Sequence, residues 1–407
     1  MPKIPSNYHS KATRAKECQH DATERQYDDG DYYNECRLEK EYVRALNATK
    51  MDKMMSKPLV GSHMLHNEGI VKMERSRSKF ITASYSNEII VWDLVKKEAL
   101  IKLEYLNQIN SVGIYENKAV VTQDRSILFT EMNKTNSNDY QSNLYNISTE
   151  VLEKPRFEFS KKVTNKFSSK IDQKQTVNHV DIGESKMAVG TTHSSIVCDL
   201  IKGINLYEKP GQCNQIQFNH SIGGILGIVG DGAVRIEDTR ANSTVYSGKM
   251  PVNCIKFNNN KLICGGDKLT VFDMREMGRA LREFKTSGPI LSVDSTGTRT
   301  SCGTADCVIF NFVDEKLADV YYNQRMGLIH GLRYSGCGNY LVSGSDDGSV
   351  RVWKADANQR TLKTGRERRS SDGNRALQEK YGSVAEIARI RRHKFTPKEI
   401  KRKMNSK

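Results

Sequence analysis

A hydrophobic strand ending in an aromatic-acid pair, or a degenerate form of one, recurs seven times along this chain. The recurrences are Val91-Trp92-Asp93, Leu128-Phe129-Thr130, Val197-Cys198-Asp199, Ile236-Glu237-Asp238, Val271-Phe272-Asp273, Ile309-Phe310-Asn311 and Val352-Trp353-Lys354. The gaps between central residues are 37, 69, 39, 35, 38 and 43. All but one lie near the period of about 40–45 residues at which small four-stranded sheets repeat around an axis. Such an array makes a rigid platform, and the repeat by itself does not say what is bound.

Each unit follows one grammar: an apolar strand, a turn, a second strand ending in small residues, a tight turn, then the aromatic strand. The last unit, 340–353, is the cleanest, with Asp347-Gly348 as its hairpin turn. Glycine adopts the positive backbone angles of such a turn without strain. Gly230-Asp231-Gly232 and Gly265-Gly266-Asp267-Lys268 serve likewise. These features predict an all-β fold: a seven-bladed WD40-type β-propeller with an extended N-terminal arm and a basic helical C-terminal tail. The expected organisation is an arm over 1–57, a propeller over 58–358 and a tail over 359–407. The 69-residue gap holds an insertion over about 133–175 whose start reads as loop. Ring closure is expected from pairing near Pro58–Gly61 with the last blade, which hides the sheet edges.

The flanks have a different character. The first residues are polar and include the acidic, tyrosine-rich stretch Tyr27-Asp28-Asp29-Gly30-Asp31-Tyr32-Tyr33. Lys40–Leu46 reads as a short helix. Thr49, with Asp52 three residues on, reads as the N-cap of a second one that Pro58 closes. Beyond the last blade the pattern is helical again. Ser383 with Glu386 reads as a capping box for a helix to about Arg392, and Thr396-Pro397-Lys398-Glu399 repeats the device.

Net charge is +15, and it is unevenly placed. From Lys354 to Lys407 there are 17 Lys and Arg against 6 Asp and Glu, so the tail carries most of the surplus. A nearly balanced body with a basic tail points to a polyanion as partner. No run approaches the 18–20 apolar residues of a membrane helix, and the first residues lack the apolar core of a secretory signal. An intracellular chain without a membrane partner is therefore expected. The nine cysteines are scattered without a C-x-x-C and read as small buried residues in a reducing compartment. The closest pair, Cys302 and Cys307, is expected on adjacent strands of one blade. Three sequons, at Asn47, Asn146 and Asn242, read as chance.

Catalytic constellations are absent: no H-E-x-x-H, G-x-S-x-G, P-loop, dinucleotide fingerprint or kinase set. Asp347 and His66 read as structural residues of the turns and blade starts. The expectation is a non-enzymatic chain with no cofactor, metal or small-molecule substrate.

At Glu41-Tyr42-Val43-Arg44-Ala45-Leu46-Asn47-Ala48-Thr49-Lys50 the chain resembles the suppressor-of-fibrillarin family of nucleolar WD-repeat proteins. A second similarity lies in Glu386-Ile387-Ala388-Arg389-Ile390-Arg391-Arg392-His393 with Pro397-Lys398. Gln324-Arg325-Met326 agrees, as do the two Asp-x-Arg blade endings, Asp238-Thr239-Arg240 and Asp273-Met274-Arg275. The chain departs at Arg392-His393-Lys394-Phe395, where the family carries Arg-His-Arg-His, and the insertion finds no match.

The resemblance implies a scaffold of the U3 small nucleolar ribonucleoprotein and small-subunit processome, in the nucleus and nucleolus, supporting release of 18S ribosomal RNA. The partners would be pre-rRNA, U3 small nucleolar RNA and processome proteins, with the chain a monomer inside a large assembly. The residues expected to dock partners are Tyr42, Val43, Arg44, Ala45, Leu46, Asn47, Thr49 and Lys50. Those expected to meet RNA are Arg389, Arg391, Arg392, His393, Lys394 and Lys398. The alternative function is a substrate receptor of a cullin-type ubiquitin ligase, which would use Arg240 and Arg275 against its adaptor. The Lys401-Arg402-Lys403 cluster is a short basic run suited to nuclear import.

Overall fold

The computed structural model describes residues 37–76, 79–94, 96, 98–115, 118–124, 126–131, 176–183, 185–201, 204–357, 364–393 and 402. The Tyr27–Tyr33 stretch, the 133–175 insertion, Lys394, the Thr396–Glu399 capping signal, Lys398, Lys401 and Lys403 lie outside them. The described residues fall into two compact units, a body over 59–355 and a unit from the two flanks.

The body is the expected seven-bladed propeller. Blades 1 to 6 occupy 70–104, 109–131, 177–210, 215–249, 252–285 and 290–322, each an antiparallel meander. Blade 2 shows three strands among the described residues and the others four. Blade 7 is closed from both ends of the body. Its strands Ile329–Tyr334, Tyr340–Ser345 and Ser349–Lys354 are joined on the outside by Leu59–Met64, with Leu59 opposite Trp353 and Met64 opposite Ser349. The inner strands then neighbour one another round the full circle.

The core lies between successive blades. Ile81, Val91, Ile109 and Val121 join blades 1 and 2, and Ile263, Val271, Val293 and Phe310 join blades 5 and 6. The aromatic-acid terminus acquires a meaning here. In blades 1, 3 and 5 its acid sits directly across from a lysine that opens the second strand: Asp93 opposite Lys79, Asp199 opposite Lys186, and Asp273 opposite Lys261. Opposite charges in that register favour one strand alignment by roughly 0.2–1 kcal/mol per pair.

The turns explain the residues read as structural. Asp347 accepts from Ser349 N (3.1 Å) and Ser349 Oγ (2.7 Å) and pairs with the Arg351 guanidinium. Gly348 has φ 75°, and a Cβ there would stand 2.5 Å from the His66 carbonyl oxygen. His66 is buried with Nε2 2.7 Å from Thr82 Oγ1. Burial pushes its pKa down to about 4, so it serves as a neutral hydrogen-bonding group. Cys302 is on a strand of blade 6, but Cys307 is not. It occupies the preceding turn at φ 62°, where the next strand begins only at Val308. Cys198, Cys213, Cys254, Cys264 and Cys302 are buried free thiols, and Cys337 is exposed.

Polar side chains of the inner strands link neighbouring blades. Asn110 Nδ2 donates to Val177 O (2.8 Å), Asn178 to Cys213 O (2.9 Å) and Asn253 to Ile290 O (3.0 Å). Deeper along the strands lies a ring formed by Glu74, Gly113, Asp181, Gln217, Lys256, Asp294 and Arg333. Six of these stand at the fifth position of their inner strand. Arg333 grips Glu74 with two nitrogens. Asp294 accepts from Tyr334 N (2.7 Å) and lies 3.5 Å from Lys256 Nζ. Asp181 accepts from Phe218 N (2.6 Å). The Gln217 amide, turned to suit both neighbours, donates to Ile255 O and accepts from Lys256 Nζ, each at 2.9 Å.

Burial disfavours the Glu74 charge, but Arg333 overrides this and brings the carboxyl pKa down to about 2. A carboxyl with a depressed folded pKa stabilises the fold above its unfolded value near 4.5, and that contribution disappears as pH falls towards 2. Replacing Arg333 with Met is expected to remove this acid-dependent part, as followed by chemical denaturation between pH 5 and about 2. Asp294→Ala, which leaves Tyr334 N and Lys256 without their carboxylate, is expected to cost about 3 kcal/mol at neutral pH.

Candidate functional site

Among the described residues the flank unit holds three helices: α1 (Arg37–Met55), α2 (Gly365–Lys380) and α3 (Ala385–Arg392). Two expectations change here. Lys40–Leu46 and the residues after Thr49 belong to one continuous helix, and Thr49 is inside it. Its Oγ1 donates to Ala45 O at 2.7 Å and it is 2% exposed, so the hydroxyl that signals a cap is satisfied by the preceding turn instead. The capping box also sits elsewhere. Thr364 caps α2, with Thr364 Oγ1 accepting from Glu367 N (3.2 Å) and Glu367 Oε2 from Thr364 N (3.1 Å). α3 starts after Val384, which as N-cap has no side-chain acceptor to offer, and Glu386 is engaged by α1 instead of by a capping box.

Tyr42 Oη donates to Glu386 Oε2 at 2.6 Å. Glu41 Oε2 accepts from Lys380 Nζ (2.6 Å) and Tyr381 Oη (3.1 Å). Gln378 Nε2 donates to Asp52 Oδ2 at 2.5 Å. The Tyr42 and Tyr381 rings meet edge to face, 6.1 Å apart. Ala45 and Ile387 are fully buried. Two segments more than 320 residues apart in the chain thus fold as one unit, as the separations of these bonds show.

The residues expected to dock a partner therefore divide. Tyr42, Ala45 and Thr49 face inward and hold the unit together. Val43, Asn47 and Lys50 are exposed, while Arg44 and Leu46 are half-buried. Arg391 Nη1 reaches Gln378 O at 3.5 Å, one of the last carbonyls of α2, where cations are favoured. Gly382 leaves room for it, since a Cβ there would lie 3.1 Å from that nitrogen. Arg389, Arg391, Arg392 and His393 are all exposed. Arg366, Arg368, Arg369 and Arg375 on α2 are exposed too, although they were not among the residues expected to meet RNA. The charged, helical pattern from Arg366 to Tyr381 marks this helix in the sequence, and the Thr364–Glu367 pair, three residues apart, marks its start.

In the propeller, Arg240 and Arg275 follow the third strands of adjacent blades 4 and 5. Asp238 accepts from Arg240 N (2.9 Å) and Asp273 from Arg275 N (3.0 Å), so each Asp-x-Arg is a turn motif. The Arg240 side chain is 64% exposed and only loosely held by Asp238 at 3.4 Å. Among the described residues no helix is long and apolar enough to cross a membrane.

The fold and these sites define a WD-repeat β-propeller protein with a basic helical unit made from both flanks. Residues 319–354 match the WD domain, G-beta repeat model, and residues 355–407 match the Sof1-like domain model. These matches, with similarity along most of the chain, support a Sof1-family WD-repeat protein. It is 26% identical to Protein SOF1 of Saccharomyces cerevisiae over 398 residues, covering 89% of this chain and 79% of that protein. It is 24% identical to DDB1- and CUL4-associated factor 13 of Xenopus laevis, covering 89% and 82%. Over 93 residues it is 33% identical to the human protein of that name, covering 23% and 21%. The crystal structure of the computationally designed Ika8 protein superposes with a TM-score of 0.51 at 14% identity, covering 73% of this chain and all of that one, a likeness of fold alone.

Ile387→Ala is expected to cost the flank unit about 3 kcal/mol. Hydrogen exchange should then quicken in both 37–55 and 365–392 while propeller amides stay protected. Arg389→Ala should leave the same amides unchanged, within about 0.5 kcal/mol.

Proposed function

We propose that this chain is a non-enzymatic scaffold of the U3 small nucleolar ribonucleoprotein and small-subunit processome, supporting pre-rRNA processing to 18S ribosomal RNA in the nucleolus. One observation carries the reading: the two segments that resemble the processome family are the two that interlock into the basic flank unit. Similarity to Protein SOF1 along most of both chains supports it. The propeller supplies a rigid body, and the exposed arginines of α2 and α3 supply phosphate contacts. Arg389, Arg392 and His393, with Lys394 and Lys398 beyond the described helix, are the RNA contacts in this reading. Arg391 is exposed too and stays a candidate contact, although it also reaches Gln378 O.

A second reading has its own observation. Arg240 and Arg275 leave equivalent turns of neighbouring blades, and several relatives are named DDB1- and CUL4-associated factor 13. A receptor that presents both arginines to an adaptor would lose adaptor co-purification in the double Ala variant. Retention of the adaptor would remove this reading.

Purification of the tagged chain from growing cells with sequencing of bound RNA is expected to enrich U3 small nucleolar RNA and uncleaved pre-rRNA. Absence of both, with ubiquitin-ligase subunits in their place, would overturn the processome assignment. For the purified chain, log affinity for pre-rRNA fragments should fall with log salt. Arg389→Ala with Arg392→Ala should shallow that slope by about 1.4–1.8 if each neutralises one phosphate. An unchanged slope would exclude these side chains as RNA contacts.

A further inference from the structure

The middle of α2 carries residues that resist a helix. Ser370-Ser371-Asp372-Gly373-Asn374 is a run that favours turns and caps, because short polar side chains compete for the backbone and glycine has the most freedom to lose. None of the 16 residues of α2 is buried, so packing does little to offset this. The two ends are secured, one by the Thr364–Glu367 box and the other by the bonds of Gln378 and Lys380 to α1. The centre therefore opens locally at lower cost than the ends.

The same stretch lies inside the basic cluster. Arg368 and Arg369 precede the two serines and Arg375 follows them. Arg368 stands three residues before Ser371 and Arg375 four after, so both flank it on the helix surface. Both are exposed, and Ser371 is half-buried. Ser370 has one arginine at such a spacing, Arg366. Arg369 is turned back to Gly365 O at 3.3 Å, and Glu367 to the Thr364 N–H. Arg-Arg-x-Ser occurs once in the chain, at 368–371. Serine kinases with acidic substrate grooves select arginines placed so before the acceptor. They bind their target extended, which a segment that opens locally allows.

We infer that Ser371 is a phosphorylation site for an arginine-directed serine kinase, and that its phosphate takes Arg368 and Arg375 away from RNA. Ser371 Oγ bonds to the γ-phosphorus of ATP, and the bond from that phosphorus to the bridging oxygen breaks. ADP leaves, and the hydroxyl proton passes to the kinase's base. The phosphate brings a charge of about −1.5 to −2 at pH 7 and three acceptor oxygens. Each flanking guanidinium then has an anionic partner on its own helix. The inference rests on the reading of α2 as an RNA contact and adds its regulation.

The test treats the purified full chain with ATP, Mg2+ and the catalytic subunit of cyclic-AMP-dependent kinase, then measures affinity for pre-rRNA fragments against salt. Phosphate is expected on Ser371, within the peptide 368–379 released by cleavage after glutamate. The slope of log affinity against log salt should shallow by about 1.4–1.8, as for two lost phosphate contacts. Ser371→Ala, treated alike, should keep the original slope. Arg368→Ala with Arg375→Ala, left untreated, should show the shallow slope. If that pair shallows the slope and the phosphate does not, the inference is overturned while the RNA reading stands. If neither does, the RNA reading of α2 fails and the inference with it. In growing cells the phosphorylated peptide should be present in chain free of RNA and depleted from chain that co-purifies with RNA. Its absence from both fractions, or equal presence in both, would also overturn the inference.

Discussion

Closure of blade 7 is the constraint on which the rest of the structure depends. Leu59–Met64 comes from the start of the body and pairs with Ser349–Lys354 at its end. The pairing covers the sheet edge of the last blade and ties the circle shut. It also sets Leu59 opposite Trp353, so the segments preceding and following the propeller leave it from one blade. Flanks separated by some 300 residues are thereby brought together, and the loop-closure entropy of joining them has already been met by the body. The flank helices need only side-chain complementarity to combine.

Within the circle, apolar packing between blades is not specific to a blade's position, because the blades resemble one another. The polar inner-strand ring supplies what the packing lacks. Arg333 with Glu74 joins blades 7 and 1, Asp294 holds Tyr334 N of blade 7, and Lys256 reaches Asp294 from blade 5. Each contact leaves a partly buried charge without a partner if a neighbour is misplaced, an error of a few kcal/mol. The Asn side chains at the strand starts add neutral links of the same kind.

The ionisable groups that draw attention in sequence serve the architecture. His66, Asp347 and Arg351 hold turns, and the buried cysteines hold their protons because burial pushes thiols such as Cys198 and Cys254 up to about 12. The exposed arginines of α2 and α3 and the turn arginines Arg240 and Arg275 take no part in that inner-strand ring.

The blade repeat, the hairpin turns and the closing strand were legible because they depend on local patterns: period-two apolar alternation, Asp-Gly turns and a constant spacing. The excess charge of the tail and the similarity of both flanks to one family were legible for the same reason. Thr49 and Ser383 misled because a hydroxyl before an acid marks a cap only when the backbone there is free of other partners. The division of the ten-residue string into inward and outward residues could not be read from the chain. Which face of an amphipathic helix is covered depends on the partner helix, and here that helix arrives from the other end of the sequence. The sequence alone determined the repeat and therefore the ring. The tertiary structure decided which flank residues are spent on holding the helices together and which remain to meet a partner, because burial is a property of neighbours in space.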